Sequence, residues 1–145
     1  MNNLQRLEHW GEAHHPKYMD ILRMALGIFL ILKGVEFAQG SSNFSELVSR
    51  QLPFSGLVLL LLSHYIIFAH IAGGFLLAVG LLTRVACIAQ IPILLGALIF
   101  VSWDVLGHLS GFFMTFIVLV LVVWFLIIGS GPWSIDAAID REARQ

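Results

Sequence analysis

Only one cysteine, Cys87, occurs in the 145 residues. That excludes an internal disulfide and a two-cysteine redox relay run by this chain alone, and Cys87 reads as a buried, inert thiol. Charge is scarce as well: Asp, Glu, Lys and Arg make up 12% of the chain and the formal net charge is -1. With no basic patch or stripe, the electrostatic footprint of a nucleic-acid binder is missing. Residues 1–18 are polar, with Glu8, Glu12 and three histidines, and lack the basic start and short apolar core of a cleavable signal peptide. The first hydrophobic segment is therefore expected to stay as a membrane anchor. No nucleophile or nucleotide motif and no diagnostic metal-ligand spacing is evident.

What the chain does have is long hydrophobic runs. Hydrophobic residues make up 59% of it and the mean hydropathy is +0.90, outside the range of soluble domains. Four runs, at about 19–37, 57–82, 85–101 and 112–128, are near the roughly 17–25 residues that cross hydrocarbon as a helix. They are too long and continuous for membrane strands, which are shorter and alternate. The expected fold is all-α, an integral-membrane four-helix bundle forming a single domain over 1–145. Short amphipathic interfacial helices complete it: one on Phe44, Leu47, Val48 and Leu52, capped near Ser41, Ser42 and Asn43 and stopped by Pro53, and one after Ser134. The first of these is expected to lie on the outer membrane surface, as a lid over a cavity or as a plain connector.

Arg6, Lys17, Arg23, Arg84, Arg141 and Arg144 fall on the side shared by both termini, whereas Arg50 is the basic residue of the opposite loops. The positive-inside rule then places both termini in the cytoplasm, with Tyr18, Trp103 and Trp133 near the interfaces. Arg23 and Arg84 are placed to snorkel or to meet lipid phosphate, in topological and structural roles.

Tracing the segments back and forth brings Lys33, Glu36, His64, Asp104 and His108 to the outer half, with His70 deeper. Ionisable groups in a bilayer need a partner, a cavity or a function. Lys33 and Glu36, three apart, share a face and can neutralise each other. His64 and His70 lie roughly 120° apart around one helix, and each can also be satisfied by a nearby carbonyl. Gln90, Ala97 and Asp104 are spaced by seven, with His108 four beyond, so Asp104 can orient His108, or merely begin the outer turn. Pro92 is expected to kink this helix. Gly73 and Gly74 mark a close helix contact, within the chain or between copies.

The stretch Gly73-Gly74-Phe75-Leu76-Leu77-Ala78-Val79-Gly80-Leu81-Leu82-Thr83-Arg84-Val85-Ala86 resembles the central signature of the DoxX family of small four-helix membrane proteins. Arg23, Gly27 and Gly34, and the closing Gly131-Pro132-Trp133-Ser134-Ile135-Asp136, are similar to it too. The family includes a small membrane subunit of thiosulfate:quinone oxidoreductase, so the resemblance implies a bacterial inner-membrane fold and a link to membrane redox complexes. The chain departs from the family pattern at His70, where many members carry glutamate, and at Phe112–Thr115, where many carry an acidic residue.

The reading that follows is a protein that binds a quinone or related redox-active lipid in an outer-facing pocket. Glu36, His64, His70 and His108 exchange protons there, Asp104 orients and Lys33 stabilises; Arg23, Gly73, Gly74, Gly80 and Arg84 are structural. A protein partner or homo-oligomer is expected alongside the bilayer. Two alternatives stand beside it: a non-enzymatic accessory or lipid-binding protein, and a haem or metal protein ligated by His64, His70 and His108.

Overall fold

The computed structural model describes residues 17–51, 55–103, 109–131 and 133–143. Among these every regular element is a helix: α1 (Lys17–Gln51), α2 (Gly56–Val79), α3 (Thr83–Trp103), α4 (Leu109–Ile128) and α5 (Ile135–Ala143). Within α2, a π-helical turn, Ala69–Gly73, separates two α-helical stretches.

Helix α1 does not stop near residue 37. It runs unbroken for 35 residues, about 52 Å at the α-helical rise, so residues 44–51 extend it and no separate surface helix begins there. Gly40, Ser41 and Ser42 only weakly oppose helix, by about 1 kcal/mol or less each. The last turn is supported by an ion pair between Glu46 and Arg50, 2.6 Å, four residues apart. Leu52 and Pro53 lie outside the described residues.

Helix α2 starts on Ser55, whose Oγ accepts from the Val58 amide. It ends at Val79, three residues before the expected boundary. Gly80 takes the left-handed conformation (φ 73°), and the amides of Gly80 and Leu81 return to the Leu77 and Leu76 carbonyls. That closure is a Schellman motif, for which glycine is the natural residue. Pro92 sits on the exposed side of α3 within a continuous helix. Ser134 caps α5, its Oγ accepting from the Ala137 amide at 3.1 Å.

Helix α1 packs along α2, α3 packs along α4, and the π turn touches both α1 and α3. All four long helices supply the core: Leu26 and Leu30, Leu77, Cys87 and Leu94, and Val118, Val122 and Phe125. The α1–α2 crossing is backbone to backbone. A Cβ added at Gly27 would lie 2.5 Å from the Ala78 nitrogen and the Gly74 oxygen, so only glycine fits.

The outward surface is also apolar. Among the described residues, Gly56–Val79 and Gly111–Ile128 are long and apolar enough to cross a membrane, and most of each is not buried within the fold. Thr83–Ile99 is a shorter apolar helix. Exposed Leu57, Leu61, Phe68, Phe75, Ile88, Ile99, Ile117 and Val120 belong to an apolar surface larger than soluble proteins present to water.

Candidate functional site

Among the described residues, His70 is the most enclosed of the proposed polar groups, 9% exposed, and it lies in the π turn. Its Nδ1 is 3.1 Å from the Ile66 carbonyl. A carbonyl only accepts, so Nδ1 carries the hydrogen, and in the neutral ring Nε2 keeps its lone pair. Nε2 has no partner among the described residues. On the facing helix, Gly34 makes room: a Cβ there would sit 2.8 Å from the His70 Cβ. His70 is therefore wedged against α1 one residue from Lys33.

Lys33 and Glu36 bond to each other at 2.6 Å, with side chains 43% and 69% exposed, and the Lys33 ammonium also lies over the Phe29 ring. His64 is exposed and repeats the arrangement of His70, with Nδ1 2.8 Å from the Leu60 carbonyl. The two histidines thus occupy different faces of α2, as their spacing requires. Asp104 and His108 lie outside the described residues. Among those described, no three His, Cys, Asp or Glu side chains gather as metal ligands would.

Two groups that the sequence reading did not place in the site tie α2 to α3, one at the π turn and one just before it. Gln90, fully buried, donates from Nε2 to the Ala69 carbonyl at 2.6 Å. Gly73 allows this, since a Cβ there would lie 3.0 Å from that nitrogen. The Tyr65 hydroxyl donates to the Ala89 carbonyl at 3.0 Å. Gln90 and Gly73 were visible as separate features; what the sequence hid was that they meet. π turns are rare and concentrate at functional sites.

A second polar cluster forms at the other end of α1. Arg23 does not snorkel. It is 1% exposed and pairs with the fully buried Asp20, Nη1 to Oδ1, 3.1 Å. Its Nη2 donates to the Trp133 carbonyl, and the Trp133 amide donates to Asp20 Oδ2, both at 3.3 Å. Gly80 lies against the guanidinium, where a Cβ would be 2.8 Å from Cζ. Asp20 was passed over in the sequence, although its spacing of three from Arg23 was the available signal. The Arg84 guanidinium lies beside Gly129, at the end of α4.

A family model described as DoxX matches residues 18–103. The chain belongs to the DoxX family. No curated protein and no solved structure matches it. The match spans α1, α2 and α3, and so includes His70, Gln90 and both members of the Asp20–Arg23 pair. DoxX membership and the apolar helices together make this a helical membrane protein.

Proposed function

We propose that this DoxX protein is a four-helix transmembrane bundle of the bacterial inner membrane, one domain over residues 1–145 with both termini cytoplasmic. It holds a quinone or related redox-active lipid in an outer-facing polar pocket as a subunit of a membrane redox complex. The observation that carries the reading is the His70 ring, pinned through Nδ1 with Nε2 available, in a π turn against α1.

A bound quinone supplies two-electron, two-proton chemistry. His70 accepts a proton at Nε2, or donates one from it, while Nδ1 keeps its hydrogen and goes on donating it to the Ile66 carbonyl, so the ring changes charge without turning. His64 offers the same chemistry nearer the outer surface. Glu36 exchanges protons with the outside, and Lys33 stabilises negative charge that develops on the ligand. Asp104 and His108 complete the pocket in this proposal, Asp104 orienting His108.

An oxidised-minus-reduced absorption spectrum of the detergent-purified protein tests it. An ultraviolet difference of the quinone type, lost in His70→Ala, supports the site. A quinone signal that survives alanine at Glu36, His70 and His108 sinks the assignment. A Soret band would instead establish haem.

A specific observation favours a second reading, a non-enzymatic accessory or lipid-binding protein: Lys33 and Glu36 already satisfy each other, and both described histidines are bonded within their own helix. A flat difference spectrum together with a stoichiometric co-purifying partner would establish that reading.

A further inference from the structure

Residues 133–136 bind two separate parts of the fold at once. Trp133 exchanges two hydrogen bonds with the Asp20–Arg23 pair on α1. Three residues on, the Asp136 amide donates to the Gly80 carbonyl at 3.2 Å, and Asp136 Oδ1 accepts from the Leu82 amide at 3.1 Å. Ser134 packs on Gly80 so closely that a Cβ there would lie 2.6 Å from the Ser134 Cβ. This short segment therefore ties the start of α1 to the turn between α2 and α3.

The tied state carries three local costs. Leu82 is held at φ 48°, left-handed and unfavourable for a residue with a Cβ. Arg23 Nε and Thr83 Oγ1 are buried without a hydrogen-bond partner among the described residues. Release of the segment would free the Leu82 amide, letting Leu82 return to negative φ, and would open to water the Arg23 guanidinium that Trp133 now contacts. The Asp136 bonds and the burial of the ion pair oppose release.

We propose that residues 133–136 are a strap with two states. Seated, it strains the α2–α3 turn and seals this end of the core; released, it opens the turn and admits solvent toward Cys87. The thiol is a built-in reporter, 1% exposed and packed with Leu26 and Leu77 one turn beyond Thr83.

The experiment measures the rate at which a membrane-permeant maleimide labels Cys87 in the full-length protein. Asp136→Ala removes the acceptor for the Leu82 amide and is expected to raise the rate roughly tenfold or more. Asp136→Asn keeps Oδ1 and should restore a rate near that of the native chain. Leu82→Asn, which tolerates the left-handed region, favours the seated state and should slow labelling roughly 5–30-fold. In a C87S chain carrying Leu94→Cys, deeper in the same core, the D136A change should leave the new thiol protected, whereas global unfolding would expose it. Unchanged Cys87 labelling in D136A, or labelling of both thiols together, overturns the strap. Should D136A fail to fold, L82N alone decides, because an unaltered rate there also overturns it.

Discussion

Asp20 and Arg23 show how much a single buried pair can govern in this protein. Each is almost wholly removed from solvent and each is bonded to the backbone of the same distant residue, Arg23 to the Trp133 carbonyl and Asp20 to the Trp133 amide. Removing one partner leaves a buried charge uncompensated. Arg23→Ala and Asp20→Ala are each expected to destabilise by about 3–5 kcal/mol, and the joint apolar replacement D20L/R23M by less than either. Thermal unfolding in detergent, followed by circular dichroism, checks the order; a double variant no more stable than the singles would contradict it. The glycines of α1 make a graded series at the same scale. Gly27→Ala forces a methyl onto backbone atoms at 2.5 Å, a clash that no rotamer relieves, and should cost about 1–3 kcal/mol. Gly34→Ala meets the His70 Cβ at 2.8 Å, so it should also weaken whatever His70 binds. Gly40→Ala has nothing within 4 Å and should stabilise the helix by up to about 1 kcal/mol. A harmful G40A or a neutral G27A would show that the α1–α2 contact differs from the one described.

At the scale of elements, the π turn in α2 is the feature whose removal is most instructive. A π ring closes over one residue more than an α ring, so deleting Ala72 should convert the turn to α-helix while leaving Gly56–Phe68 and Gly74–Val79 in register. The variant is expected to fold, with helical content unchanged, and to lose both the Gln90 bond to Ala69 and the retention of a quinone-type chromophore. A deletion variant that keeps the chromophore would detach the π turn from binding. The same turn marks the limit of what the sequence disclosed. Long apolar runs made the helices legible, and the gap between the second and third runs located the α2–α3 turn to within three residues. Ser134 as a cap was legible from its place after Gly131 and Pro132. By contrast, an extra residue in a helical ring leaves the hydrophobic pattern of a fully apolar run unaltered, and nothing in composition separates π from α there. The length of α1 escaped for a related reason: Gly40, Ser41 and Ser42 resemble a break, yet about 1 kcal/mol or less each does not end a helix supported on both sides. Lys33 with Glu36 could be paired from spacing, as could Asp20 with Arg23, but only the packing distinguishes an exposed pair from a buried one.

At the scale of the whole molecule, the distribution of charge bears on which way the chain faces. Seven basic residues, Arg6, Lys17, Arg23, Arg84, Arg141, Arg144 and Arg50, entered the positive-inside count, but they are not equivalent in the folded protein. Arg23 is neutralised by Asp20 and buried, and Arg50 is paired with Glu46. Acidic partners contribute little to the topological rule, so the proposed bias is unchanged: six basic residues fall on the side assigned to both termini, Arg84 among them at the α2–α3 turn, and Arg50 lies at the far end of α1. The proposed orientation therefore places residues 44–51 outside and α5 inside. Two exposed positions read it directly. In a chain whose Cys87 is replaced by serine, Ser49→Cys on α1 should react with a membrane-impermeant maleimide on intact cells. Ile139→Cys on α5, 53% exposed, should react only after the membrane is permeabilised. The opposite pattern would turn the bundle over and put Lys33, Glu36 and His64 toward the cytoplasm. A pocket there would take protons from the cell interior, while the strap at the Asp20–Arg23 end would face outward, beyond the reach of any cytoplasmic partner.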